Sequence, residues 1–392
     1  MAHRPLPVLL AFVALLAVAS PACKKSSSES ADAPAARSLK VGLVTDVGGR
    51  GDQSFNDSAL RGLELWAAGK KHQGGRYVEA TTDEVQASLS EDLRAREPKI
   101  APVGVTPVVL QSRAQEDYEP NLQLLADQKA SLIVGVGFML ENAIEAAARR
   151  NPESKFLLID SPLIDAQGKP FSLPNVKTVV FKEEEGSFLV GALAGLVSKS
   201  GKVGFVGGME IPLIKKFETG FRAGVRTTKT DAQTLVGYTG SFDNVAAGKQ
   251  VAQDLLSKGA DIIFHAAGSD GLGVIQAVKE ARARGRDVYV IGVDSDQSHV
   301  APDAVLTSMV KRVDLAVWEA SRELSQGQFT AGDSVWGLRE GGVTAADVRV
   351  EFEGKTAALE RVAALRREIV EGRIQVPASE TELAKFAEGQ QR

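Results

Sequence analysis

Three aspartates close three apolar runs in this sequence: Asp46 after "VGLVT", Asp160 after "FLLI" and Asp294 after "VIGV". A carboxylate in that place accepts hydrogen bonds from hydroxyls and amines. One such aspartate serves as a helix cap. Three of them, with Phe55 in "DQSFN", Phe138 after "VGVG" and Phe217 in "IPLIKKFETGF", describe a cleft that reads donors and stacks a flat group. "AAGSDGLG" (266–273) ends another apolar run. It lacks the Gly-Lys-Ser/Thr ending of a phosphate loop, so its glycines open a helix facing the cleft. Ser54-Phe55-Asn56-Asp57 reads as a capping-box start, with Ser54 as N-cap and Asp57 at the third helical position. That reading leaves Asp46, Phe55 and Asn56 to face a ligand. The tripeptide "RGD" at 50–52 is taken as chance in a glycine-rich turn.

The elements that must carry these residues alternate. Strands are expected at Val41–Val44, Leu132–Val136, Phe156–Ile159, Lys202–Val206, Ile262–Ala266 and Val288–Val293. Helical spacing follows over Asn56–Ala68, Leu140–Arg149, Glu185–Val197, Phe217–Val225, Ala246–Lys258 and Gly273–Arg284. Alternation of this kind predicts an α/β fold with parallel sheets flanked by helices, and the near-continuous apolar runs predict strands covered on both faces. Ligands of such sheets bind beyond the carboxyl ends of the strands, where the three aspartates stand. "TAALERVAALRREIVEGRI" (356–374) predicts an amphipathic C-terminal helix.

The chain has 392 residues, 44% hydrophobic and 24% charged, enough for two lobes. A net charge of -4 and the lack of a basic run beyond the N-terminus argue against a nucleic-acid face. Four scattered histidines, His3, His72, His265 and His299, have no zinc-ligand spacing, so neither a metal nor a cofactor is expected. The N-terminus reads as an address: His3 and Arg4, an apolar run Val8–Ala19 too short to span a bilayer, and small residues before Cys23, the single cysteine. We expect a signal peptide over 1–22, lipidation of Cys23, and a flexible tether over 23–38 rich in Ser, Ala and Asp. Ser20 stands where lipidation boxes carry leucine, and plain cleavage after Ala22 is the alternative.

The motifs in order resemble the basic membrane protein family, the nucleoside-binding lipoproteins of bacterial ABC transporters. The blocks are "VGLVTDVGGRGDQSFNDSALRGLE", "LIVGVGF", "FLLID", "EEEGSFLVGALAGLVSKSGKVGFVGGMEIPLIKKFETGFRAGV", "GADIIFHAAGSDGLGVIQAVKEA", "VIGVDSDQ" and "VLTSMVKRVDLAV". They cover nearly the whole chain after the leader. The stretch from Tyr77 to Tyr118 departs, being longer and more charged than the family pattern.

The resemblance implies a type I periplasmic-binding-protein fold: two doubly wound parallel-sheet lobes joined by a hinge. Lobe 1 would hold 39–160 plus about 305–325, and lobe 2 would hold 175–294 plus about 336–392. The hinge would cross near 160–176, 294–304 and 325–336. It further implies that Phe55 and Phe217 sandwich a purine and that Asp46 and Asn56 bond the base edge or sugar. Gly268 would let the backbone approach, Asp294 would accept from the ribose diol, and Lys311 would complete the sugar end. Phe138 and Asp160 would line the same cleft. The implied function is a non-enzymatic substrate-binding lipoprotein of an ABC importer, exported and held to the membrane by lipid. It would pass its nucleoside to the permease and ATPase subunits. A receptor domain feeding a membrane signalling protein and an exported nucleoside-processing enzyme are the alternatives.

Overall fold

The computed structural model describes residues 39–389. The leader, Cys23 and the tether lie outside the described residues.

Sixteen strands follow in chain order: β1 (Lys40–Val44), β2 (Lys70–Gln73), β3 (Arg76–Glu79), β4 (Thr106–Leu110), β5 (Leu132–Val136), β6 (Lys155–Ile159), β7 (Leu163–Ile164) and β8 (Pro170–Phe171), then β9 (Val176–Phe181), β10 (Lys202–Gly207), β11 (Gln233–Tyr238), β12 (Ile262–Ala266), β13 (Tyr289–Asp294), β14 (Val305–Lys311), β15 (Gly332–Trp336) and β16 (Val343–Ala345). Two six-stranded sheets result, in the orders β15-β9-β6-β5-β1-β4 and β11-β10-β12-β13-β14-β16. The first is parallel throughout; the second is parallel except for its antiparallel edge, β14 with β16. The central strands are buried on both faces, as their unbroken apolar runs require: β5 and β12 have no exposed residue. Aromatic side chains fill the space between the second sheet and its helices, with Phe205, Phe221 and Phe264 fully buried against one another.

Sheet membership differs from the expected lobes at two strands. β9 pairs with β6 and β15 in the first sheet, and β14 pairs with β13 and β16 in the second. The chain therefore crosses between sheets at Phe181–Glu183, Lys311–Val313 and Trp336–Val343, not at 160–176, 294–304 and 325–336. The 160–176 stretch instead folds as the β7–β8 hairpin, where Glu141 accepts bonds from Ser161 Oγ (2.6 Å) and the Ile164 amide (2.9 Å). Segment 294–304 joins two neighbouring strands of one sheet. Segment 325–336 ends in β15, which stays in the first sheet. The reason is pairing: β9 and β15 satisfy each other's backbone groups along five residues, a partnership invisible in either strand alone. The three crossovers are stitched together. The Lys182 amide donates to the Trp336 carbonyl (3.0 Å), and the Arg312 amide to the Gly342 carbonyl (2.8 Å).

The charged stretch between Tyr77 and Tyr118 packs onto this region. Helix Thr82–Ala87 starts with a capping box from Thr81 and Glu84. Ser90 and Asp92 then accept from Arg312 Nη2 at 2.7 and 3.2 Å, beside the second crossover. The helix starting at Phe55 runs to Leu60 and continues over Arg61–Ala67 as a π-helix. No described helix is long and apolar enough to cross a membrane.

Candidate functional site

Between the carboxyl ends of the two sheets lies a cavity with about 550 Å³ of empty space, part of it open to solvent. All nine residues singled out in the sequence, Asp46, Phe55, Asn56, Phe138, Asp160, Phe217, Gly268, Asp294 and Lys311, line this cavity.

The first wall is the loop after β1. Asp46 Oδ1 accepts from the Gly48 amide (2.8 Å) and from Asn56 Nδ2 (2.7 Å). The Asp46 amide in turn donates to Asn56 Oδ1 at 3.3 Å, so the pair forms a reciprocal clasp. Burial pushes the Asp46 carboxyl up to about 6, against the two hydrogen bonds, with the charges of Asp160 and Asp294 adding to the rise.

The helix after this loop is not capped by Ser54, which makes no side-chain cap bond. Asp52 does that work: its oxygens accept from the amides of Ser54 (2.9 Å), Asn56 (2.7 Å) and Asp57 (3.0 Å). The expected Asp57 capping role is also displaced; Asp57 accepts instead from the Gly51 and Gln53 amides. A left-handed Gln53 (φ 54°) turns the chain between Asp52 and Ser54. Ser54 Oγ is thereby free to reach the second sheet. It bonds Asp294 Oδ2 at 2.8 Å and the Val293 carbonyl at 3.1 Å. Arg50 pairs with the buried Glu64 through Nη1 and Nη2 (3.0 and 2.6 Å), and Asp52 is buried, so the "RGD" tripeptide presents no adhesion surface.

Lys311 is the electrostatic centre. It is buried, with Nζ 2.6 Å from Asp160 Oδ2, 3.7 Å from Glu183 Oε1 and 3.8 Å from Asp294 Oδ1. Burial alone would strip its proton, but these three carboxylates overcome that cost and raise its affinity for the proton. Asp160 and Asp294 both sit at positive φ (71° and 61°), so the backbone at the two strand ends is bent to aim the carboxylates inward. Burial also pushes Asp294 up to about 6, with Lys311 pulling it down and Asp160 adding to the rise. Among the described residues, Asp160 Oδ1 and Asp294 Oδ1 have no hydrogen-bond partner. Buried acceptors in that condition are costly and suit a ligand's donors.

Three rings face the same ammonium: Phe55 at 4.8 Å, Phe217 at 5.3 Å and Phe181 at 5.6 Å from Nζ to centroid. Gly268, at φ 53°, leaves room where a Cβ would stand 3.1 Å from the Phe242 carbonyl oxygen.

Sequence reasoning missed Phe242, Leu213, Ile214, Ser269 and Asp52 in the lining, and Glu183 behind Lys311. Phe242 follows β11, an edge strand whose half-exposed residues carry no strong apolar signal. Had β11 been read as a strand, an aromatic just past its end would have marked the site as Phe138 did. Among the described residues no cluster of His, Cys, Asp and Glu could hold a metal ion.

The cavity's position and its acceptors describe a solute-binding site, and the comparisons with known proteins concern that type. Residues 39–380 match the Bmp family, "ABC transporter substrate-binding protein PnrA-like". The chain belongs to this family. A CD4+ T-cell-stimulating antigen of Listeria innocua is 34% identical over 391 residues, covering 96% of this chain and 99% of that one. The ABC transporter nucleoside-binding protein BmpA of Lactococcus lactis is 30% identical, covering 95% and 97%. A crystal structure of an ABC transporter solute-binding protein from Aeropyrum pernix superposes with a TM-score of 0.70 at 26% identity, covering 90% of this chain and 97% of that one. The fold is accordingly the type I periplasmic-binding fold expected from the motifs.

Proposed function

We propose that this substrate-binding protein takes a nucleoside, most favourably a purine nucleoside, into the cleft and delivers it to ABC permease and ATPase subunits. The observation that carries this reading is the pairing of aromatic faces with buried acceptors that receive no hydrogen bond. Phe55 and Phe217 offer π-faces from the two sides, and Asp160 Oδ1 and Asp294 Oδ1 await donors. A vicinal diol suits the Asp294 end, and the Asp46–Asn56 clasp suits a base edge. Four acidic side chains line the cavity against one lysine that is already ion-paired, which favours a neutral ligand over a phosphorylated one. The name of the Lactococcus relative agrees. The cavity groups bind rather than react: its acids hold hydrogen bonds, and its one amine is locked as a cation.

In this reading the three crossovers form the hinge between two lobes that close on the ligand. The first lobe is built on the sheet that includes β9 and β15, the second on the sheet that includes β14. Residues 1–22 export the chain, and lipidated Cys23 tethers it to the membrane. Replacing Cys23 by Ala should release the protein from the membrane fraction.

The deciding experiment is a thermal-shift screen against nucleosides, nucleotides, bases, sugars and amino acids. A ligand at a hundred times its dissociation constant stabilises by about 2.7 kcal/mol. Purine nucleosides should raise the Tm, and their 5′-phosphates should not. Phe55→Ala should lose one stacking face, worth roughly 1–3 kcal/mol, or about 5- to 150-fold in Kd. A shift by sugars alone would overturn the nucleoside assignment.

A further inference from the structure

Phe138 and Phe242 meet across the cleft. Phe138 follows β5 of the first sheet, and Phe242 follows β11 of the second. Their ring centroids are 6.4 Å apart at an interplanar angle of 73°, an edge-to-face contact. Both rings line the cavity and are only half-buried, whereas Phe55 and Phe217 are buried deep within it. The outer pair thus stands where the cavity reaches solvent.

Strand order gives the contact its leverage. β11 is the edge strand of the second sheet, four strand steps from β14. At the usual spacing that is roughly 19 Å. The crossovers gather at the other end, around Lys311 and β16. A hinge rotation that opens the cleft about the crossovers would separate Phe242 from Phe138 more than it would disturb Lys311.

One carboxylate, that of Asp270, bonds the loop carrying Phe242 on both sides of the ring. Asp270 is fully buried, and its oxygens accept from Ser241 Oγ (2.9 Å) and from the Asn244 amide. The Ser269 amide donates to the Phe242 carbonyl at 2.9 Å. Asp270 belongs to the "GSDG" stretch, and it does not line the cavity. Its carboxylate bonds the two residues that flank Phe242 and Asp243.

We propose that Phe138 and Phe242 form an aromatic gate whose opening limits ligand escape, and that Asp270 is the positioning residue that presents Phe242 to it. The proposal rests on the cleft being the ligand site.

The test compares wild type, F242A, F242Y, D270N and the double variant D270N/F242A. Dissociation of inosine and adenosine is followed by surface plasmon resonance. Loss of one edge-to-face contact should speed dissociation of both by about two- to twelvefold, with association changed far less. F242Y keeps the ring and should stay near wild type. D270N should speed dissociation in the same direction, and D270N/F242A should be no faster than F242A, because Asp270 acts through that ring. A merely structural Asp270 would instead add its own effect. A second readout needs no ligand: spin labels at E119C and Q250C, on helices beside the two sheets, with Cys23 replaced by Ala. F242A should lengthen the label separation in the unliganded protein. An F242A dissociation rate matching wild type, or an unchanged label distribution, overturns the gate. If wild type binds neither nucleoside, the nucleoside reading fails and the label distances alone decide the gate.

Discussion

Lys311 Nζ lies 2.6 Å from Asp160 Oδ2, joining the last residue of a second-sheet strand to the residue that follows a first-sheet strand. The bond is buried and sits at the first residue of a crossover, so it ties the cavity to the region where the chain passes between sheets.

Breaking it should be expensive. Lys311→Met would leave Asp160, Asp294 and Glu183 without their shared cation. Removing one partner of a buried pair costs about 3–5 kcal/mol. Denaturant unfolding should show a loss of that size, and ligand-induced stabilisation should fall with it. A variant as stable as wild type would show that the network carries no such weight.

Ser54→Ala removes two bonds that reach from the first-sheet loop to the end of β13. A hydrogen bond to a charged group contributes about 1.5–3 kcal/mol. The variant should bind ligand at least several-fold more weakly, because Asp294 loses the partner that orients it. Ser54→Thr should recover most of the affinity. Isothermal titration of the two variants reads this directly; equal affinities in Ser54→Ala and wild type would show that Asp294 needs no such support.

Protonation makes opposite demands on the empty and the loaded protein. Asp46, Asp52 and Asp294 are each pushed up to about 6 from an ordinary value of 3.8, chiefly by burial. A carboxyl raised in the folded state binds its proton more tightly there than in the unfolded chain. Between about pH 4 and 6 the folded protein therefore holds more protons, and its stability falls as the pH rises through that window. These three groups should make the ligand-free protein more stable at pH 5 than at pH 7 in calorimetry. Ligand affinity should move the other way, since a protonated Asp294 no longer serves as a full acceptor for hydroxyls. Affinity that is flat from pH 7 to 5 would remove Asp294 from the ligand contacts.

Asp52→Ala tests who caps the first helix. Asp52 accepts from three amides there, so its loss should cost about 1–2 kcal/mol. Asp57→Ala, which leaves that cap intact, should cost less. The reverse order in urea melts would restore the capping box read from the sequence.

The strand ends were legible because buried parallel strands are unbroken apolar runs, and Asp46, Asp160 and Asp294 follow such runs in plain view. Glycine- and phenylalanine-bearing loops beside them were legible for the same reason. Together with the family resemblance, which supplied Gly268 and Lys311, that named nine residues that all line one cavity. Local order along the chain does not say which strand pairs with which. Only the folded sheets assign β9 and β15 to one and β14 to the other, and with them the crossovers at Phe181–Glu183, Lys311–Val313 and Trp336–Val343. Ser54 shows the same limit at one residue. By sequence it is a helix cap; in the fold Asp52 satisfies those amides, and the hydroxyl finds Asp294, 240 positions away. Phe242 was hidden because an edge strand is half-wetted and its pattern is weak. Sequence determined the chemistry available at the strand ends, since that depends on residue type and local periodicity. Tertiary structure decided which of those groups share a proton, a hydrogen bond or a ring contact, since these depend on distances that only long-range pairing sets.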